Sequence, residues 1–202
     1  MKLLAACLLV VPLMFAGKWS KISSINGITV WLGSVKGTDI KEAKGFTMID
    51  AEPEKVWAVI DDNDKMKRVV PHVKKSREVG SCGKNCKYEY KLISYAPLKD
   101  RHVIIKVKST MTETGAGKQY KRWWIKTKDK KPEPQEDMME ILKMYGQYDF
   151  VPTADGGKTE FTYMYFVDYG GSATPILVNT NLPLATYKFL NNLRKEAEKS
   201  NN

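Results

Sequence analysis

Residues 168–179 read DYGGSATPILVN, and this stretch joins a predicted strand to the helix that ends the chain. The preceding residues, 158–167, are rich in aromatic and β-branched side chains, which predicts the last strand. Residues 172–174 can cap a helix, and Pro175 suits the first helical turn. The sequence therefore predicts a strand that leads through a short connection into a C-terminal helix.

The predicted C-terminal helix has one apolar face. Pro183 lies inside the pattern, where it removes a backbone hydrogen bond and predicts a kink or a break. The apolar residues recur at spacings of three or four, which is typical of an amphipathic helix packed on one side, and they are Leu182, Ala185, Phe189, Leu193 and Ala197.

Strand patterns dominate the chain before this helix. Residues 28–34 and 44–49 predict two strands, and residues 51–60 predict a helix with Pro53 in its first turn and residues 61–64 at its end. Further strands are predicted at 74–79, 87–92, 103–111, 120–127, 138–151 and 158–167. This order predicts an α+β protein in which a curved antiparallel sheet wraps around the C-terminal helix and leaves an apolar cavity.

Length and charge narrow the classes of function. The 202 residues suit one domain, and 33 Lys+Arg against 23 Asp+Glu give a net charge of +10. The basic residues are spread along the chain and alternate with apolar ones, which is typical of solvated strand faces rather than of a nucleic-acid site. Transient contact with an anionic membrane surface stays open. Because the chain has only two histidines, a three-histidine metal site is excluded, and we expect no metal or cofactor.

The N-terminal residues 1–17 read MKLLAACLLVVPLMFAG. One lysine precedes an apolar run that is too short to span a bilayer but suits a signal peptide. We therefore expect a signal peptide at 1–17, a mature domain at 18–202, and a periplasmic or secreted protein. Two alternatives stay open: an uncleaved membrane anchor, and a lipoprotein signal at Cys7, which the short apolar run before it disfavours.

Removal of the signal would leave two cysteines, Cys82 and Cys86. Glycine and asparagine lie between them and suit a turn that can bring the two side chains together. An even number of cysteines in an exported chain favours a disulfide. We expect a structural disulfide at a hairpin tip, with a pair of free thiols as the alternative.

Four segments, in order along the chain, resemble the START domain family of the helix-grip superfamily. His102, Tyr148 and Tyr169 stand where the family more often has Asp, Trp and Pro, so the chain is a divergent member by this resemblance. The segments are AEPEKVW at 51–57, PLKDRH at 97–102, GQYDFVP at 146–152 followed by DGGKT at 155–159, and DYGGSATPILVN at 168–179.

The resemblance implies a tunnel between the concave sheet face and the last helix that holds a lipid or another apolar molecule. We expect a carrier and not an enzyme, because no paired carboxylates or nucleophile–base pair stand out. Two alternatives stay open: an enzyme similar to the polyketide cyclases and aromatases of the superfamily, and an interaction module without a ligand. Converging acidic, histidine or arginine groups inside a cavity would favour the enzyme, and a mostly apolar wall would favour the carrier.

Ten residues are candidates for contact with the ligand. Arg101 is expected either to bind a lipid head group or to form a salt bridge with Asp100, Asp168 or Glu113. A regular strand would point Trp123 and Trp124 to opposite faces. The candidates are Tyr88, Tyr90, Arg101, Ile105, Trp123, Met144, Tyr163, Tyr165, Leu177 and Asn181.

The sequence also predicts where the ligand enters. Gly115 and Gly117 make the loop 113–118 a candidate for a mobile lip, since glycines allow large backbone changes. We expect this loop to face the first half of the last helix, near Ile176. A static kink that only wraps the helix around the sheet is the alternative.

Overall fold

A computed structural model describes residues 19–96, 98–134 and 137–199. The predicted signal peptide lies outside the described residues, and within them no helix is both long and apolar enough to cross a bilayer. The elements, in chain order, are β1 (Trp19–Ile25), β2 (Ile28–Ser34), β3 (Lys41–Ile49), α1 (Pro53–Asp61), α2 (Asn63–Val69), β4 (Val73–Gly83), β5 (Cys86–Ile93), β6 (Asp100–Thr114), β7 (Gly117–Lys126), β8 (Met138–Glu140), β9 (Lys143–Pro152), β10 (Thr159–Asp168) and α3 (Pro175–Glu198).

The strands form one sheet that wraps around α3, so the predicted helix-grip fold is confirmed. The strand order is β1-β2-β3-β10-β9-β7-β6-β5-β4, with every neighbouring pair antiparallel, while the short β8 pairs in parallel with β6. The helix packs closely where the sheet has no side chain: a Cβ on Gly45 would lie 2.5 Å from Leu190 Cδ1. The inner face of the sheet and the apolar face of α3 therefore form the main core.

The last helix begins as the sequence predicts and then continues without a break. The Thr174 hydroxyl accepts a hydrogen bond from the Leu177 amide, and Pro175 occupies the first turn. The helix extends through Pro183 to Glu198 as one element, so the alternative of a broken helix is wrong. Packing of its apolar face on the sheet outweighs one missing hydrogen bond.

Two elements escape the sequence pattern, and one predicted strand is divided. The sequence pattern does not predict strand β1 or helix α2. Helix α1 ends at Asp61, within the predicted end at 61–64, and Asp62 then caps α2 by accepting hydrogen bonds from two backbone amides. The predicted strand 138–151 is two strands, β8 and β9, separated by a buried Ile141 and an exposed Leu142.

The predicted disulfide is present between Cys82 and Cys86. It closes the hairpin between β4 and β5, where Gly83 and Asn85 adopt positive φ angles of 121° and 56°. These turn residues bring the two cysteine Cα atoms to 5.0 Å, a distance that a disulfide requires.

Candidate functional site

A cavity of about 100 Å³ lies between the inner face of the sheet and α3. Strands β5, β6, β7, β9 and β10 form one wall, and the opposite wall comes from α3 and from the turn between α2 and β4. The curvature of the sheet creates this space, because a single helix cannot fill the whole concave face. Its inner surface is mostly apolar.

Aromatic rings form most of one side of the cavity. Tyr163 stacks on Tyr165 with ring centroids 4.7 Å apart, and Phe189 of α3 meets Tyr163 edge-on at 4.6 Å. Tyr148 lies 4.6 Å from Trp124. Burial raises the pKa of Tyr148, Tyr163 and Tyr165 above the ordinary tyrosine value, so these hydroxyls stay protonated. The wall thus offers flat apolar surfaces with a few hydroxyl groups at their edges.

Three charged side chains, from β5 and β7, also line the cavity. The Glu89 carboxylate lies 2.5 Å from an Arg122 nitrogen and 2.8 Å from Lys91 Nζ. All three side chains are buried. Because Glu89 and Lys91 are two residues apart on one strand, they project to the same face and meet Arg122 from β7. They form a polar end in an otherwise apolar chamber.

Residues outside the cavity also contact the charged cluster. Arg122 also binds Asp61 at 3.0 Å, and Lys91 donates to the Ser76 hydroxyl at 2.5 Å. Burial raises the pKa of Glu89, but Lys91 and Arg122 outweigh it and lower that pKa to about 2. Burial lowers the pKa of Lys91, and Glu89 opposes this. Glu89 is therefore an anion at neutral pH, held between two cations.

The cavity lies nearest to solvent beside the turn between α2 and β4. His72 is the exposed lining residue there, and its ring lies 4.7 Å from that of Tyr95. Tyr95 in turn stacks on Tyr169, at 6.0 Å, at the start of the connection to α3. Burial and the nearby Lys188 lower the pKa of His72, so neutral imidazole is favoured at this rim.

Five of the ten candidate residues line the cavity, and they are Ile105, Met144, Tyr163, Tyr165 and Asn181. Tyr88 and Tyr90 do not: they lie on the outer face of the sheet, in a separate apolar cluster with Leu92 and Ile104. Their strand neighbours Glu89 and Lys91 face the cavity instead. The expectation for the two tyrosines is wrong because strand alternation defines two faces but does not say which one is inside.

For two further candidates, the adjacent residue in the sequence lines the cavity instead. Trp123 is not part of the lining, whereas Trp124 is, so one of the two tryptophans lines the cavity as expected. On α3, Val178 lines the cavity and its neighbour Leu177 does not. Each of these errors reflects the choice of face rather than the choice of element.

Arg101 has neither of its two expected roles. It is fully buried outside the cavity, and its guanidinium donates to the backbone carbonyls of Tyr169 at 3.1 Å and Gly170 at 3.4 Å, and to that of Lys99. These carbonyls belong mainly to the connection between β10 and α3. Arg101 therefore fixes the connection that leads into the last helix.

The predicted lip and the start of the last helix lie at opposite ends of the sheet. The loop 113–118 is close to α1, where Lys118 pairs with Glu54 at 3.8 Å. The start of α3 is instead tied to β3, since Asn179 Oδ1 accepts from the Lys41 amide at 2.8 Å. Strand β10 runs between the two ends, and its length corresponds to about 30 Å at roughly 3.3 Å per residue. The predicted gate between them is wrong.

The sequence pattern does not predict the charged cluster of Glu89, Lys91 and Arg122. A signal was available, since Glu89 and Lys91 alternate with tyrosines in a strand that is apolar on its other face. Charged residues are normally assigned to the solvent side, and here they are inside because they neutralise one another.

Solved structures share this architecture over nearly the whole chain. A STAR-related lipid transfer protein from Xanthomonas axonopodis has a TM-score of 0.77, is 23% identical, and is matched over 89% of this chain and 98% of its own. Human STARD10 has a TM-score of 0.78 at 20% identity, covering 90% of this chain and 73% of its own. The chain has the START fold.

One further solved structure and one protein sequence are also similar to this chain. The Zhui aromatase/cyclase from Streptomyces has a TM-score of 0.51 and 15% identity, over 80% of this chain and 95% of its own. In sequence, the uncharacterized protein PA1579 of Pseudomonas aeruginosa is 26% identical over 188 residues, which are 91% of this chain and 89% of that protein. No family model matches the chain.

Proposed function

We propose that this protein binds a lipid or another apolar molecule in the cavity between the sheet and α3, and carries it through water. The observation that carries the proposal is an apolar, aromatic-walled chamber with one charged end, inside a fold shared with STAR-related lipid transfer proteins. Enclosure of an apolar chain is favourable by about 0.8 kcal/mol for each buried CH₂.

The cavity volume limits what fits without movement. A space of about 100 Å³ suits a small apolar group, and engineered cavities of ~150 Å³ hold benzene. A lipid with a long chain therefore requires the wall formed by α3 or by the turn between α2 and β4 to move outward. We expect ligand binding to change the packing at His72 and Tyr95, where the cavity is nearest to solvent.

The charged end favours one orientation of the ligand inside the cavity. A hydroxyl, carbonyl or carboxylate group of the ligand at this end would meet Arg122, Lys91 or Glu89, while its apolar part lies against the aromatic rings. Burial of a polar group without such a partner costs free energy, so the chamber favours an amphipathic molecule with one compact polar group.

Export is part of the same proposal. The signal-like residues 1–17 would direct the domain 18–202 to the periplasm or the medium, and the Cys82–Cys86 disulfide is compatible with an oxidising compartment. There the carrier would load and unload at membranes, with its basic surface in transient contact with anionic lipid. A mass measurement of the protein from the periplasmic fraction tests cleavage near residue 17.

Catalysis is the second candidate, supported by the structural similarity to an aromatase/cyclase and by charged groups inside the cavity. The chemistry of these groups favours binding. Glu89, with its pKa lowered to about 2, is a weak base, and the raised pKa values of Tyr148 and Tyr163 make those hydroxyls weak acids. We therefore propose a carrier rather than an enzyme.

Extraction of the purified protein and mass spectrometry of the extract test the proposal directly. A fluorescent fatty acid serves as a second probe, titrated into wild type and into Ala185→Trp, which places a large ring where the cavity wall is now small. Leu184→Trp is the matched control, because Leu184 is the preceding residue of α3 and is exposed.

We expect Ala185→Trp to weaken binding of the probe by at least about tenfold and Leu184→Trp to leave it unchanged. Equal binding by all three proteins would place the probe outside the cavity. Absence of any apolar molecule in the extract, together with no uptake of the probe by wild type, would refute the proposed function.

A further inference from the structure

A second concave site lies on the outer face of the sheet, on the side opposite the cavity. It is a groove of about 520 Å³ between strands β4–β6 and the segment 131–133, which crosses over them. Pro132 of this segment is buried, while Lys131 and Glu133 on either side of it are exposed. The segment is thus anchored above the strands by one residue and lines the groove with its charged neighbours.

The floor of the groove is apolar and aromatic. Tyr90 and Ile104 are buried there, and Val79 and Met138 pack beside them. The Arg77 guanidinium lies 5.3 Å from the centre of the Tyr90 ring, which holds this cation at the edge of the floor. The face is not ordinary solvated strand surface, because large apolar side chains lie directly beneath the charges.

The rim of the groove carries an excess of positive charge. Lys75 and Arg77 are two residues apart on β4 and project to the same side, and Lys131 faces them from the crossing segment. Among the described residues of the lining, Glu133 is the one carboxylate, so three cations and one anion give a formal charge of +2. Within residues 19–96, 98–134 and 137–199, none of the three cations forms a salt bridge.

A cation beside the groove has a carboxylate partner. Lys106, on β6, lies on the same face but pairs with Asp129 at 3.1 Å, and Asp129 also accepts a bond from the Tyr88 hydroxyl at 3.0 Å. Among the residues that the structure describes, the fold therefore supplies a carboxylate partner for a cation beside the groove and none for the cations on its rim. Unpaired cations that converge over an aromatic floor match an anion attached to an apolar body.

We propose that this outer groove binds a phosphate ester with an apolar or aromatic substituent. A dianionic phosphate matches the formal charge of +2, and arginine binds phosphate through two parallel hydrogen bonds. The substituent lies on Tyr90 and Ile104. A phosphate monoester, which can carry two negative charges, is present both in soluble phosphate esters and in phosphatidic acid, an anionic phospholipid. The site is separate from the cavity and does not depend on the proposed carriage of lipid.

Phenyl phosphate and lipid vesicles are the two probes. Phenyl phosphate is titrated into the protein while the backbone amides of residues 75–79, 130, 131 and 133 are followed by NMR. Vesicles of phosphatidylcholine containing a fraction of phosphatidic acid are tested by co-flotation, with pure phosphatidylcholine vesicles for comparison. Both are applied to wild type and to the double variant Arg77→Gln with Lys131→Gln.

Two control variants separate the groove from general charge and from the cavity. Lys36→Gln with Lys195→Gln removes the same charge at exposed positions elsewhere, and Ala185→Trp fills the cavity but leaves the groove unchanged. We expect both controls to bind as wild type does. The double groove variant should bind at least about tenfold more weakly, with its thermal unfolding unchanged because both substituted side chains are exposed.

The two probes distinguish the source of the phosphate. Saturable binding of phenyl phosphate that the groove variant loses supports a site for soluble esters. Binding of phosphatidic acid vesicles alone, with the same loss, supports a lipid head group. The proposal is overturned if neither probe binds wild type, if the groove variant binds as well as wild type, or if Lys36→Gln with Lys195→Gln loses as much affinity. Loss in Ala185→Trp alone would move the site to the cavity.

Discussion

Replacement of Glu89 by glutamine tests the charged end of the cavity through protein stability. Glu89 is 1% exposed and is held at 2.5 Å from Arg122 and 2.8 Å from Lys91. The substitution preserves size and shape but removes the negative charge, so two buried cations lose their shared partner. Removal of one member of a buried ion pair typically costs ~3–5 kcal/mol.

The pKa of Glu89 gives a second value for the free energy of unfolding that its charge contributes. It also sets the direction in which stability changes with pH. The pKa is lowered from an ordinary 4.5 to about 2, which corresponds to about 3 kcal/mol of stability at neutral pH. Because the folded pKa is the lower one, this contribution is complete above the unfolded value and is lost as the pH falls toward the folded value. By pH 3, about 2 kcal/mol of it is gone.

Urea denaturation at a series of pH values between 7 and 3 provides the measurement. We expect Glu89→Gln to be about 3 kcal/mol less stable than wild type at pH 7, and we expect this gap to narrow by about 2 kcal/mol at pH 3. The gap narrows because wild type loses the stabilising charge in acid and the variant has none to lose.

Glu113→Gln is the matched control, since Glu113 is an exposed glutamate on the hairpin between β6 and β7. This variant should follow wild type within about 0.5 kcal/mol at every pH. A gap between Glu89→Gln and wild type that stays constant from pH 7 to pH 3 would refute the reasoning. It would show that Glu89 does not titrate differently in the folded and unfolded states.

Three further predictions concern stability and covalent structure. Gly146→Ala should lower the free energy of unfolding by about 1–3 kcal/mol, because the new methyl group would collide with Trp124 and with a backbone carbonyl. Gly115→Ala is the control in the same thermal melts. It should be nearly neutral, because no atom lies within 4 Å of the new methyl group. Thr174→Ala should lower the free energy of unfolding by about 1 kcal/mol, and no change would mean that α3 does not need its cap. Alkylation with and without reductant should show no free thiol at the tip of the β4–β5 hairpin before reduction and two after it; two reactive thiols in the untreated protein would contradict the disulfide.

Most of the order of elements could be predicted from the sequence, because it depends on local patterns. Pro175 and Thr174 mark the start of α3, and the apolar spacing defines the helix face that packs on the sheet. The parts that could not be predicted depend on tertiary context. Strand β8 is three residues long, and it pairs with β6 across a separation that no local pattern encodes.

Strand β5 shows why the site itself was only half predictable. Tyr90 is buried on the outer face beside the segment that carries Pro132, and Glu89 and Lys91 are buried on the inner face. When both faces of a strand are covered, the alternation of polar and apolar residues no longer separates inside from outside. Only the contact with Arg122, from a strand distant in sequence, shows which face holds the cavity.

The buried ion cluster is also an argument about function. Well-packed apolar residues often replace a buried ion triad with no loss of stability, so stability alone gives little reason to retain Glu89, Lys91 and Arg122. The same groups line a cavity whose remaining wall is aromatic, and their charges are held by neighbours outside it, Asp61 and Ser76. Under the proposed function, a cluster that is anchored from outside the cavity and faces its apolar wall would meet the polar group of a bound molecule. If it were only structural, apolar replacement of all three residues would preserve both folding and the preference for amphipathic over purely apolar ligands; we expect the fold to survive and that preference to be lost.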